Sequence, residues 1–122
     1  MALTPVTKEK DMELLEKKCI PCSIGEDPLT TEQIQGNMKQ LEEGWEVIED
    51  KKIKRQFKFK DFKSALDFVV KIGDIAESEG HHPDLCLGWG RVEVEFMTHK
   101  IQGLHENDFI MAAKTDKIHR EL

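Results

Sequence analysis

From Phe62 to Glu79 apolar residues recur at helical spacing, whereas from Arg91 to Thr98 they occupy every second position. Two such different periods, separated by glycine and proline, require a long helix and a strand within one mixed fold. In the first run Phe62, Ala65, Leu66, Val69, Ile72 and Ala76 form one stripe behind Asp61, a natural N-cap. Phe68, Val70 and Ile75 widen the apolar arc to roughly 220° at about 100° per residue, more than is needed to cover a sheet. The surplus implies a partner subunit, unless another helix of the same chain covers it.

The remaining elements follow from caps and punctuation. Lys8 to Lys18 reads as a short amphipathic helix through Met12, Leu14 and Leu15, and Cys19 to Leu29, with Pro21, Gly25 and Pro28, as an irregular connection. Thr30 and Gln33 have the spacing of a capping box, and Ile34, Met38 and Leu41 continue at helical period until Gly44. Trp45 to Glu49 and Ile53 to Phe59 predict a hairpin across Asp50-Lys51-Lys52, with Ile53, Phe57 and Phe59 on one face and Lys54, Gln56 and Lys58 on the other. Gly80 ends the long helix. Leu85 to Leu87 predict a third strand broken by Gly88-Trp89-Gly90. In Arg91 to Thr98, Val92, Val94 and Phe96 point one way, and Arg91, Glu93, Glu95 and Met97 the other, with His99 on that polar face if the strand continues. A last helix runs from about His105 to His119, with Phe109, Ala112 and Ala113 turned inward. The expectation is an α+β fold, a four-stranded antiparallel sheet with helices packed on one face. It divides into an N-terminal extension, 1–29, with a short helix and a C-x-x-C loop, and a domain, 30–122.

A length of 122 residues suits a single core, and a net charge of −6 disfavours capture by nucleic-acid backbones or anionic membranes. No run approaches a membrane span and no signal-peptide or transit pattern opens the chain, so a soluble, intracellular protein is expected. Three cysteines do not make a secreted disulfide framework. Cys19 and Cys22 would need two further ligands to close a zinc site, so they read as loop residues before a metal or thiol role.

His81-His82-Pro83 and His99 concentrate three of the five histidines in one part of the chain. Imidazole exchanges protons near neutral pH, so the group suits general acid and base chemistry. Pro83 holds His82 extended, and because adjacent extended residues diverge, spacing alone does not bring both rings to one pocket. Residue types leave open solvated loop histidines, or a zinc site with Asp108 or Glu77.

The stretch Glu77, His81-His82-Pro83, Trp89, His99 and Asp108 resembles, spacing for spacing, the signature of the pterin-4a-carbinolamine dehydratase family. The similarity extends upstream through Gly44-Trp45 and Phe57-x-Phe59-x-Asp61-Phe62-x-x-Ala65, and Cys19-Ile20-Pro21-Cys22 is similar to the extension of longer members. Two positions depart: Gly80 replaces an acid or amide of many members, and Trp89 a more frequent tyrosine.

The resemblance implies dehydration of 4a-hydroxytetrahydropterin to quinonoid dihydropterin, a step of tetrahydrobiopterin recycling, without a metal or redox cofactor. It implies His81 and His99 as the acid and base, with His82 orienting the pterin or sharing the acid role. Substrate contacts are implied at Glu77, Gly80, Pro83, Met97, Thr98, Lys100, Trp45 and Asp108, with Asp108 in an orienting role near His99. Residue position alone also allows Glu77 to be an exposed helix-end carboxylate, Asp108 to be a helix-dipole partner at N3, and Trp45 to be core. Expected partners are the pterin and a second copy of the chain, in a dimer or tetramer through the 62–79 helix. Animal members also serve as dimerisation cofactors of a homeodomain transcription factor, which makes a protein-interaction module the rival function and adds a nuclear role to a cytoplasmic one.

Overall fold

A computed structural model of the chain describes residues 14–122. Its elements are α1 (Thr31–Met38), β1 (Glu46–Ile48), β2 (Lys52–Lys58), α2 (Phe62–Glu79), β3 (Asp84–Gly88), β4 (Arg91–Phe96), a single 3-10 turn (His99–Ile101) and α3 (Glu106–Arg120). The strands form one antiparallel sheet in the order β1-β2-β4-β3, with helices packed on it, as the two periods predict. The short helix read over 8–18 lies mostly outside the described residues, but residues 14–16 are helical and Leu14 is buried in the main core.

The register explains the layering. Ile53 faces Phe96 and Phe57 faces Val92, so the apolar positions of β2 and β4 fall on one side, together with Val94. The other side carries opposite charges, with Lys52–Glu95 and Lys54–Glu93 pairs at 3.4 and 3.6 Å, which solvent screens. Arg55 is the polar intruder on the apolar side, and Asp116 of α3 neutralises it at 2.6 Å. Asp116 also accepts hydrogen bonds from the Trp45 indole at 2.9 Å and from the Glu42 backbone at 3.1 Å. Three donors from separate segments thus converge on one buried carboxylate, which removal of any one of them would leave less satisfied.

α2 begins and ends where the sequence places it. Asp61 accepts a hydrogen bond from the Ser64 backbone, and Gly80 closes the helix in the left-handed region at φ 72°, which only glycine adopts without steric cost. Its buried line is Ala65, Phe68, Ile72 and Ala76, whereas Phe62, Leu66 and Val70 of the predicted arc stay 43%, 37% and 54% exposed.

Four details differ from the sequence reading. α1 stops at Met38 and continues only as tight turns through Leu41, since Gly36 and Asn37 are poor helix formers. The hairpin connection is Glu49 to Lys51, one residue earlier than predicted, because Glu49 and Asp50 take the left-handed conformation of a turn. α3 is buried nearly all round, taking in Ile110, Met111 and Thr115 beyond the predicted Phe109, Ala112 and Ala113, because both the sheet and residues 14–29 cover it. β4 ends at Phe96, so His99 leaves the strand and sits in the 3-10 turn.

His119 on α3 closes the core against the rings of Phe57, Phe59 and Phe68, at 4.9 to 5.9 Å between centroids. Burial and then the Arg55 guanidinium hold its imidazole below the ordinary histidine range, against Glu42 and Asp116 acting the other way. The unfolded chain therefore takes up a proton more readily than the folded one, and the stability that the neutral ring contributes is intact above about pH 6.5 and lost as pH falls through the lowered value. Urea denaturation at stepped pH should show a steeper stability loss below that point in the wild type than in His119→Gln.

Candidate active site

The turn after α2 brings the histidines to the sheet. Gly80 sends His81 back over the end of β4, where its ring stacks on Phe96 at 6.4 Å and 14° between planes. Phe96 in turn packs on Trp45, so the core positions His81 from behind. His81 Nε2 donates to Asp108 Oδ1 at 2.6 Å, and His82 Nε2 to Glu77 Oε2 at 2.6 Å.

Asp108 organises this region. Its side chain is 0% exposed, and its second oxygen accepts from the Thr98 hydroxyl at 2.7 Å and from the His105 backbone at 3.0 Å. The latter is half of a capping box, because the His105 side chain in turn accepts from the Asn107 backbone at 3.0 Å. Asp108 therefore fills the N3 position read from the sequence, but the histidine it holds is His81 and not His99, because Gly80 turns His81 back over the end of β4. A carboxylate that accepts from His81 fixes the proton on Nε2 and leaves Nδ1 as the nitrogen available to a ligand.

A cavity of about 590 Å³ opens at this point, within the usual range for small-molecule sites. His81, His82 and His99 all line it, although adjacent residues of an extended segment diverge, because the left-handed turn at Gly80 and the 3-10 turn at His99 aim the rings at one space. Of the other residues expected at the site, Gly80, Met97, Thr98 and Lys100 line the cavity. Glu77 and Asp108 stand behind His82 and His81, and Pro83 shapes the turn without lining it. Trp45 is core, donating to Asp116 and reaching the site only through Phe96.

Cys19, Ile20, Pro21, Cys22, Glu79 and Asn107 complete the lining and were not among the expected site residues. The C-x-x-C spacing was the one available signal, but nothing local says that this loop folds across the histidines. Burial pushes the Cys19 thiol up to about 12, with the Glu79 carboxylate adding to the effect, and burial followed by Glu26 raises Cys22. Neither is poised as a thiolate.

Among the described residues, Cys22, Glu26 and His105 bring donor atoms within 4.8 Å of one another. His105 Nδ1 accepts the Asn107 N–H, which puts the ring proton on Nε2, where it meets Glu26 at 3.2 Å. A metal on Nε2 would have to break that helix cap, so the donor set fits a hydrogen-bonded latch. The three histidines of the cavity are not in this group.

The family model described as pterin 4 alpha carbinolamine dehydratase matches residues 27–118. The chain belongs to this family. A candidate pterin-4-alpha-carbinolamine dehydratase of Alkaliphilus metalliredigens is 55% identical over 104 residues, covering 85% of this chain and 94% of its own. One of Rubrobacter xylanophilus is 49% identical over 106 residues, with 87% and 98% covered. A crystal structure of a transcriptional coactivator/pterin dehydratase from Brucella melitensis superposes with a TM-score of 0.70 at 34% identity, over 75% of this chain and 98% of that one. A pterin dehydratase-like RuBisCO assembly factor of the alpha-carboxysome shares the fold, at TM-score 0.53 and 18% identity. In this member of the carbinolamine dehydratase family the described residues contain no helix long and apolar enough to cross a membrane.

An amide at 108 could keep Thr98 and the His105 backbone on its oxygen and turn its NH2 to His81 by reversing that ring's tautomer, whereas alanine leaves all three partners without their acceptor. Asp108→Ala is expected to lower stability by about 1–3 kcal/mol in urea denaturation, the usual cost of leaving buried polar groups unsatisfied.

Proposed function

We propose that this protein dehydrates a 4a-hydroxytetrahydropterin, such as 4a-hydroxytetrahydrobiopterin, to the quinonoid dihydropterin. The observation that carries the reading is the lining of one cavity by three imidazoles, one of them backed by the buried Asp108. The reaction breaks the C4a–O bond, forms the C4a=N5 double bond from the N5 lone pair, and releases the N5 proton and water. It therefore needs a proton delivered to the leaving oxygen and a proton taken from N5, and it needs no change of oxidation state.

His81 is suited to accept the N5 proton through Nδ1, because the Asp108 carboxylate at Nε2 stabilises the imidazolium that results. His99 then serves as the acid toward the hydroxyl, and His82, steered by Glu77, orients the pterin or shares that role. Neither step calls on a metal or a redox cofactor. Lys100, Met97 and Thr98 are assigned to pterin contact, and Asp108 and Glu77 to positioning.

The decisive measurement follows the absorbance of enzymatically generated 4a-hydroxytetrahydrobiopterin. Each positioned acid or base typically contributes about 10²- to 10⁴-fold, so His81→Ala and His99→Ala should each lose at least two orders of magnitude in kcat while keeping the wild-type circular dichroism. Rates equal to wild type in both variants would leave a binding protein.

A separate observation supports a partner surface. Phe62, Leu66 and Val70 lie on one exposed side of α2, and burying such side chains stabilises an assembly. We assign this side to a homo-oligomer, a dimer or tetramer. The description of the Brucella melitensis relative as a transcriptional coactivator makes a second protein partner the alternative occupant. Light scattering after gel filtration should show Leu66→Glu with Val70→Glu as a smaller species than the wild type, and a monomeric wild type would refute the assignment.

A further inference from the structure

The Cys19-Ile20-Pro21-Cys22 stretch has no part in the proton transfers, yet it forms one wall of the cavity that the histidines line. Its backbone is held at three places. Cys19 N–H donates to Glu79 at 2.8 Å, and the Cys22 carbonyl accepts from Lys100 Nζ at 3.4 Å. Between them, Ile20 N–H donates to the Asn107 side chain at 3.0 Å while the Asn107 amide donates to the Ile20 carbonyl at 2.6 Å. Glu79 is the last residue of α2 before Gly80 and His81, Lys100 follows His99, and Asn107 precedes Asp108. Each segment that presents a histidine or its carboxylate therefore also fixes one point of the wall.

Asn107 is 3% exposed and spends both ends of its amide on one residue, as a neighbouring strand would. Ile20 is thus held firmly by its backbone while its side chain remains 61% exposed. An apolar side chain fixed in water at the edge of a cavity is arranged in advance for a ligand, because little conformational freedom is left to lose on contact. The protonated thiols on either side add bulk and no reactivity.

We propose that Ile20, positioned by Asn107, packs against the bound pterin and makes the wall a part of its binding site. This rests on the pterin reading above and extends it to the N-terminal extension. The contact is the same before and during the reaction, so it contributes to binding and leaves the proton transfers alone.

The test compares wild type, Ile20→Ala and Asn107→Ala in two measurements, calorimetric titration with 7,8-dihydrobiopterin and steady-state dehydration of 4a-hydroxytetrahydrobiopterin. Ile20→Ala should weaken binding and raise KM by about tenfold, the loss expected for much of one buried apolar side chain, with kcat and its pH profile unchanged. Asn107→Ala should reproduce the rise in KM by releasing the wall. Ile20 is exposed, so its variant tests the contact without a burden on folding. Wild-type affinity and KM in Ile20→Ala would overturn the proposal and leave the dehydratase reading intact, as would a fall in kcat at constant KM. A wild type that neither binds dihydrobiopterin nor dehydrates its substrate would overturn both.

Discussion

The Asp108 carboxylate ties together three parts of the chain. It caps α3 through the His105 backbone, anchors the end of β4 through Thr98, and receives His81 from the turn after α2. Sequestered from solvent, such hydrogen bonds are not in competition with water, and none of them can be lost without leaving a donor or acceptor unmatched. The geometry of the candidate site and the docking of α3 on the sheet therefore depend on the same two oxygens.

A second buried carboxylate does for the scaffold what Asp108 does for the site. Asp116, two turns further along α3, collects Arg55, Trp45 and the Glu42 backbone, and Trp45 and Phe96 then form the floor on which His81 rests. α3 is thus the element that relates cavity and core. Its Asp108 and Asp116 face inward, and the apolar periodicity by which helices are usually recognised is weak in it. The extension closes the other side: Leu14 enters the core, Leu29 N–H reaches the Leu104 carbonyl, and a side chain at Gly103 would meet Pro28 at 2.7 Å. Residues 14–29, read from the sequence as part of an N-terminal extension, pack with the rest of the described chain.

Much of the fold was legible because its signals are local. A change of period between Phe62–Glu79 and Arg91–Phe96, the caps at Thr30, Asp61 and Gly80, and alternation in β2 and β4 each depend on neighbours within a few residues. The departures occur where distant packing wins. Phe62 and Leu66 belong to the apolar arc by spacing, but the direction of α2 over the sheet leaves them outside. His99 continues the alternation on paper, but the strand gives way to a 3-10 turn that pairs Thr98 with Gly103.

The site divides in the same way. Residue type singled out His81, His82 and His99 as proton carriers, and the resemblance of their spacing to the family signature added Glu77 and Asp108. Only the tertiary structure decided that three rings share one cavity, that Asp108 serves His81 and Glu77 serves His82, and that Trp45 stays in the core while a cysteine-flanked isoleucine forms a wall. The reason is physical. Side-chain chemistry is a property of each residue, whereas convergence depends on strand register, helix direction, a left-handed turn at Gly80 and a 3-10 turn at His99, which are settled by the packing of the whole chain.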